Sequence, residues 1–195
     1  MEKPKNYDEI PVVGDYEVLE PGGYICKIIN AKEEKSKSGR DMLVIAFDIE
    51  EGEHKGIYQR RYEELSKNDT PDNMAKWPNN GVHRIMINDN EGNFNKFLKT
   101  FITSVEQSNN FDFWGKNKGE AKGLKGKLFG GIFGEEEYEK NDGKIGTSTK
   151  LQWIRATSTI EDGKYQIPEK KTIAKKPGSI FDEMDVKDED DDLPF

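Results

Sequence analysis

Residues 24–49 read YICKIINAKEEKSKSGRDMLVIAFDI, and this stretch decides the fold class. Two runs rich in β-branched and aromatic residues, Tyr24 to Ala31 and Met42 to Ile49, enclose a polar segment that contains Gly39. Such runs are typical of strands, and a polar segment with glycine between two of them predicts a hairpin. The sequence therefore predicts a long β-hairpin with a basic tip.

Further elements follow along the chain. Strands are predicted at Ile57 to Tyr62, Lys125 to Tyr138 and Ile145 to Ala156, and the turn between the last two contains Asp142-Gly143. Apolar residues at helical spacing between Asn93 and Gln107 predict a helix. Five antiparallel strands with one helix between the third and fourth is the order of the OB-fold, a Greek-key barrel. We therefore expect a mainly β chain with this fold.

Two details accompany this order. Val82 to Asn88 is expected to be a short extended segment, and Asp89 or Asn90 is available to cap the helix that follows. Glycines recur in the fourth strand, where they fit a strand that bends around a small barrel. These glycines are Gly126, Gly130, Gly131 and Gly134.

Composition limits the size and compartment of the protein. The chain has 195 residues, of which 33% are hydrophobic, so it can fill one modest core but not two. No apolar run approaches the roughly 18 residues that a membrane span needs, which predicts a soluble, cytoplasmic protein. The single cysteine, Cys26, has no partner and lies in an apolar run, so we expect a buried structural thiol.

The net charge of −8 is unevenly distributed. Residues 182–195 contain eight acidic residues and one lysine, a net charge of −7, which leaves −1 for residues 1–181. We therefore expect an N-terminal arm at 1–19, a barrel domain at 20–157, a linker at 158–181 and an acidic tip at 182–195. The linker and tip have the composition of a disordered tail.

Catalytic patterns are weak. His54 and His83 are the only histidines, and neither has a His, Cys or carboxylate at ligand spacing, so we expect no metal site. The acidic run Asp188 to Asp192 falls in the tail, whereas catalytic carboxylates are held on rigid elements. The run Gly130 to Gly134 lacks the Lys-Ser/Thr that ends a phosphate-binding loop. We expect no catalytic residue, no cofactor and no enzymatic activity.

Basic and aromatic residues are interleaved where the predicted barrel would present them. Single-stranded nucleic acid is held by cations along its backbone and by aromatic faces on which bases stack. The expected contacts lie in the first hairpin tip, the third, fourth and fifth strands and the last hairpin. They are Lys35, Lys37, Arg40, Tyr58, Arg60, Tyr62, Phe129, Phe133, Lys140, Lys144, Trp153 and Arg155.

The last six residues are Asp190, Asp191, Asp192, Leu193, Pro194 and Phe195. A terminal phenylalanine after proline and acids can be captured by an apolar pocket with a basic rim. This ending resembles the C-terminal tip of bacterial single-stranded DNA-binding proteins, which usually reads Asp-Asp-Asp-Ile-Pro-Phe. The expected role of these residues is to bind partner proteins.

The body resembles the single-stranded DNA-binding proteins of phages and mobile elements of Gram-positive bacteria. The matching segments are Gly23 to Lys32, Ser36 to Gly39, Met42 to Phe47 and Gly52 to Gly56. The resemblance implies a non-enzymatic protein in the bacterial host cytoplasm that coats single-stranded DNA during phage replication, recombination and repair. It also implies recruitment of a primase, helicase, recombinase or nuclease through the tip.

Two other functions stay open from the sequence alone. The barrel could bind protein rather than DNA, as an acidic adaptor, or the chain could be a metal-dependent DNA-processing enzyme. The oligomeric state, including a homo-oligomer, the site size and the preference for DNA over RNA also stay open.

Overall fold

The computed structural model describes residues 17–67, 69–70, 73–115, 117–140 and 142–173. The strands in these ranges are β1 (Gly22–Lys35), β2 (Asp41–Ile49), β3 (Val82–Met86), β4 (Leu128–Glu139) and β5 (Ile145–Arg155). The helices are α1 (Ile57–Ser66), α2 (Lys96–Asn109) and α3 (Thr157–Glu161), with short 3-10 helices at Asn79–Gly81 and Ala121–Leu124. None of these helices is long and apolar enough to cross a membrane.

The five strands form one antiparallel sheet in the order β3-β2-β1-β4-β5. The predicted hairpin of β1 and β2 is confirmed, and so is the predicted hairpin of β4 and β5. β1 pairs with β4 through Gly22 to Lys27 and with β2 along a longer stretch, with a register shift between Ile28 and Asn30. The chain is therefore mainly β, and the outer strands of the sheet are β3 and β5.

The core lies between this sheet and α2. Its largest fully buried side chains are Phe47, Phe101, Phe129 and Phe133, whose rings contact one another edge to face or at a tilt. Every residue of β2 from Met42 to Ile49 is buried, so this strand is covered on both faces. Cys26 is fully buried, which confirms the prediction of a structural thiol.

The strand predicted at Ile57 to Tyr62 is wrong, because these residues form the start of α1. The buried carboxylate of Asp48 in β2 accepts hydrogen bonds from the backbone N–H groups of Tyr58 at 3.0 Å and Gln59 at 2.8 Å. Asp48, which lies outside the helix, thus satisfies two of the backbone N–H donors that have no intrahelical partner at the start of a helix. The third strand is β3, within the segment predicted to be extended.

The predicted helix is confirmed as α2, between the third and fourth strands, but its cap differs. Asn95 accepts a 2.8 Å hydrogen bond from the backbone N–H of Phe97, whereas Asp89 and Asn90 were the expected caps. Asp89 instead accepts from the backbone N–H groups of Glu91 and Asn93, which holds the turn before the helix.

The chain beyond β5 packs against the sheet as far as it is described. Ile160 of α3 lies over Gly130, since a Cβ there would come within 2.6 Å of its side chain. Farther on, Lys171 exchanges backbone hydrogen bonds of 2.9 Å with Glu135 and Glu137, along the β4 edge that β1 does not reach. The predicted linker at 158–181 thus begins with residues that contact the sheet. The predicted tip and residues 1–16 of the predicted arm lie outside the described residues.

Candidate functional site

A groove of about 1100 Å³ separates the two outer strands of the sheet. One wall is formed by α1, the 3-10 helix Asn79–Gly81 and β3, and the other by β5 with the end of β4. At one point the walls touch, because the side-chain amide of Asn80 donates a 3.0 Å hydrogen bond to the hydroxyl of Ser148. The sheet therefore curves until its outer strands face each other.

Basic side chains outnumber acidic ones in this groove. The lining cations are Arg60, Arg61, Arg84, Lys150 and Lys171, and the lining carboxylates are Glu17, Glu64 and Glu136. Glu17 pairs with Arg60 at 2.6 Å, and Glu136 lies 3.6 Å from Lys150. Five cations against three carboxylates leave a net charge of +2 in a chain whose overall charge is −8. The groove is a cationic feature on an acidic protein.

Tyr138 presents an aromatic face to the groove. Its side chain is 44% exposed although it lies in a strand. It is opposite Gly146 in the β4–β5 register, and a Cβ on Gly146 would come within 2.8 Å of its ring. The ring therefore rests on bare backbone, which limits its motion and leaves a surface open for stacking.

Some buried polar atoms of the groove walls, among them the hydroxyl of Tyr58, a residue only 4% exposed, and Nε2 of Gln152, have no hydrogen-bond partner among the described residues. Burial raises the pKa of Tyr58 far above its usual value, so the hydroxyl stays protonated and can donate. Buried polar groups normally have partners, so both atoms suit a polar ligand or an ordered water.

The predicted site residues on the first hairpin tip lie outside the groove lining. Lys35 forms a 2.8 Å ion pair with Asp41, and Lys37 is exposed. Arg40 is turned toward the chain between β3 and α2, where it donates to Asn90 Oδ1 at 2.8 Å and to the Asn88 carbonyl at 3.0 Å.

The predicted residues of the last hairpin are also exposed. Lys140 and Lys144 flank the turn, and Lys144 lies 3.3 Å from Asp142. Neither lysine lines the groove, although Tyr138 of the same hairpin does.

The prediction that Phe129 and Phe133 of β4 offer aromatic faces for stacking is wrong. Phe129 and Phe133 are at most 1% exposed and belong to the core, so no base can reach them in the folded protein. Their alternation along the strand predicts one shared face, and both rings point into the core. The glycines between them leave room for core rings, as at Gly131, where a Cβ would lie 2.8 Å from Phe133.

The remaining predicted site residues lie on α1 and in β5. Tyr58, Arg60 and Tyr62 do not share a strand face, since they lie on α1, where Tyr58 and Arg60 line the groove and Tyr62 packs on Trp77. Trp153 and Arg155 pair with Ile132 and Gly130 in the sheet register. They are exposed near α3 and do not line the groove.

Of the predicted site residues only Tyr58 and Arg60 line the groove, and the lining residues that the sequence predictions missed include Arg84, Tyr138, Lys150 and Lys171. For Arg84 the signal was available, because Val82 to Asn88 reads as extended and Arg84 alternates with buried Ile85. For Lys171 no local signal exists, since its position depends on pairing with β4.

The described residues contain no group of three or more His, Cys, Asp or Glu side chains that could hold a metal ion. His54 instead hydrogen-bonds Glu17 at 2.7 Å, and the same carboxylate pairs with Arg60. These two contacts hold Glu17, at the start of the described chain, against the turn before α1. Despite partial desolvation, the hydrogen bonds from Arg60 and His54 lower the pKa of Glu17.

Comparison with known proteins gives one family match. Residues 5–81 match a family model described as "Protein of unknown function (DUF669)". The match includes β1, β2 and α1 and ends at Gly81, directly before β3. No curated protein matches the chain.

Proposed function

We propose that this chain is an OB-fold, single-stranded DNA-binding protein of a phage or mobile element. It coats and protects single strands with little sequence preference during replication, recombination and repair. Its acidic tip recruits a replication or recombination protein in the bacterial cytoplasm, and the chain has no catalytic activity of its own.

The strand order supports the OB-fold. In such a barrel the first strand pairs with the second and the fourth, and a helix lies between the third and fourth strands. Here β1 has these two neighbours, and α2 lies between β3 and β4. The contact of Asn80 with Ser148 brings the β3 and β5 sides together, as closure of a barrel requires.

The observation that carries the function is the groove, whose lining includes the Tyr138 ring and the cations Arg84, Lys150 and Lys171. A flexible single strand exposes both phosphates and base faces, and this groove offers a partner for each. In a duplex the base faces are stacked on one another, so a duplex would bind only through its phosphates, which contact the cations of the groove. We therefore expect single strands to bind more tightly than duplexes of the same length.

The test is titration of the full chain with fluorescein-labelled oligo-dT at several salt concentrations. We expect the affinity to fall as salt rises, because each neutralised phosphate contributes about −0.7 to the slope of log K against log salt. Absence of binding at low salt would reject the proposal and favour the protein-binding adaptor. Magnesium-dependent cleavage of the labelled strand would instead favour a processing enzyme.

Two groove variants separate the two kinds of contact. Arg84→Ala should lower the salt slope by about 0.7, as expected for one lost phosphate contact. Tyr138→Ala should lower affinity by about 1–3 kcal/mol without changing the slope, since base stacking releases no counterions. Lys164→Ala is the control, because Lys164 is exposed, lies outside the groove and is not among the expected contacts. Equal effects of all three substitutions would mean that the groove is not the binding site.

The acidic tip is tested separately. Because residues 182–195 carry a net charge of −7, their removal should leave the affinity for oligo-dT equal or higher. It should also abolish capture of the partner protein. A truncation that destroyed DNA binding would contradict this division of labour.

A further inference from the structure

A second aromatic surface lies between α2 and the chain that follows it. Three large apolar side chains are exposed there, with 57% exposure at Trp114, 50% at Phe97 and 44% at Phe94. Trp114 contacts Phe94 at 5.8 Å and Phe113 at 4.8 Å between ring centroids, both edge to face. None of these residues lines the groove.

The Trp114 ring is held in place by its surroundings. Gly119 has a φ of +71°, and a Cβ on it would come within 2.9 Å of the indole. The backbone N–H of Gly119 donates a 2.9 Å hydrogen bond to the Phe113 carbonyl, which closes the loop under the ring. Backbone lies against the indole and two rings contact it in edge-to-face pairs, so Trp114 is held in place while 57% of it stays exposed.

The surroundings of this face are basic. The described residues of 91–127, which leave out residue 116, contain six lysines and four acidic residues, a net charge of +2 in a chain of net charge −8. Lys127 lies 4.6 Å above the Phe111 ring and Lys96 lies 5.3 Å above the Phe97 ring, whereas Lys118 is exposed near Trp114 in the chain. The surface therefore combines cations with an open ring, which suits a polyanion that carries aromatic bases.

This surface is physically continuous with the basic tip of the first hairpin. Arg40 hydrogen-bonds Asn90 and the Asn88 carbonyl, Asn88 forms a β-bridge with Phe94, and Phe94 contacts Trp114. Arg40 and Trp114 are thus linked by a chain of direct contacts, and we expect one strand to reach both.

We propose that Trp114 is the stacking residue of a second contact zone for single-stranded nucleic acid, reached from the hairpin tip. The inference rests on the proposed function. It places one binding surface in the groove and another at Trp114, so a long strand contacts both and a short strand fills only one.

The test is an oligo-dT length series measured with the full chain and three variants. Wild type should show a step in affinity once the oligonucleotide spans both surfaces. Trp114→Ala should remove this step, lowering affinity for long strands by about 5-fold or more while leaving short strands unchanged. Trp114→Phe should keep most of the step, because phenylalanine can still stack. Ile167→Ala is the control for an exposed large apolar side chain outside both surfaces.

The outcomes separate the two proposals. If short strands bind but Trp114→Ala leaves long-strand affinity unchanged, the second zone is rejected and the groove stands. If wild type binds no oligonucleotide of any length, both fail. If Trp114→Ala leaves DNA binding intact and abolishes self-association in analytical ultracentrifugation, the surface binds a second copy of the chain instead, which also rejects the second zone.

Discussion

The side chains of Asn80 and Ser148 are 68 residues apart in sequence and joined by a 3.0 Å hydrogen bond. Asn80 lies in the 3-10 helix before β3, and Ser148 lies in β5, so the contact links the two outer strands of the sheet. It therefore joins the two walls of the groove that separates them.

Breaking this contact should weaken the link between the outer strands. We expect Asn80→Ala and Ser148→Ala each to destabilise the protein, and the double variant to lose less than the sum. The coupling should be about 0.5–1.5 kcal/mol, the usual contribution of one hydrogen bond. Urea denaturation of the four proteins measures it. Strictly additive losses would show that the two side chains do not interact in solution.

Asp48 should be the most sensitive polar residue of the core. Its carboxylate accepts backbone hydrogen bonds from Ile49, Tyr58 and Gln59, so Asp48→Ala leaves three donors without this partner. We expect a loss of about 1–3 kcal/mol and fraying of α1. Asp41→Ala is the matched control, since Asp41 is in the same strand but exposed. Equal losses for the two variants would contradict the role of Asp48.

The pKa of Asp48 gives a prediction about pH. Burial raises this pKa above its ordinary value of 3.8, although the backbone hydrogen bonds oppose the shift. The folded chain therefore holds the proton more tightly than the unfolded chain. The resulting stabilisation is fully present below pH 3.8 and is lost as the pH rises through the raised pKa.

Asp48→Asn cannot titrate at this position and serves as the reference for that effect. The stability of wild type relative to Asp48→Asn, followed by denaturation across this pH range, should decrease as the pH rises. A relative stability that increases with pH would mean that the hydrogen bonds outweigh burial.

Cys26 should react only when the protein opens. The thiol is fully buried, and burial raises its pKa well above the usual value, so both access and thiolate formation are suppressed. We expect no labelling by Ellman's reagent under native conditions and stoichiometric labelling in denaturant. Rapid labelling of the folded protein, with unchanged circular dichroism, would place Cys26 outside the core.

The chain between α3 and residue 173 should contribute to stability. A Cβ on Gly23 would come within 2.5 Å of the Tyr165 ring, so this ring packs directly on β1, and Lys171 pairs with the β4 edge. Deleting residues 164–195 should cost about 2 kcal/mol or more, the value of one buried large side chain. Deleting only residues 174–195 is the control and should leave thermal stability unchanged. Equal stabilities of the two truncated proteins would show that residues 164–173 do not stabilise the fold.

Strands whose apolar residues alternate with polar ones, or follow one another without a break, could be predicted, because the local sequence pattern indicates them. The sequence predicts both hairpins and α2, in which Phe101 and Val105 recur at helical spacing. It misassigns residues 57–62 because Ile57 and Tyr58 suit a strand locally. The cap that starts α1 there comes from Asp48, nine residues before Ile57, and no local propensity reports such a contact.

The candidate site was harder to predict for the same reason. The cationic character of the hairpin tips follows from composition, whereas a groove depends on which strands become neighbours. Tyr138 and Arg84 line one groove although 54 residues separate them. Phe133 is in the same strand as Tyr138 yet fully buried, and strand alternation alone cannot say which face is the core.

The burial of β2 from Met42 to Ile49, between β1 and β3, gives the protein an internal standard for hydrogen exchange. Amides in the middle of this strand are hydrogen-bonded within the sheet and covered on both faces, so they exchange with deuterium only when the whole domain unfolds. Amides of the hairpin tips exchange through local opening. Comparing the two in one experiment distinguishes a ligand that protects its own contact surface from one that stabilises the entire fold.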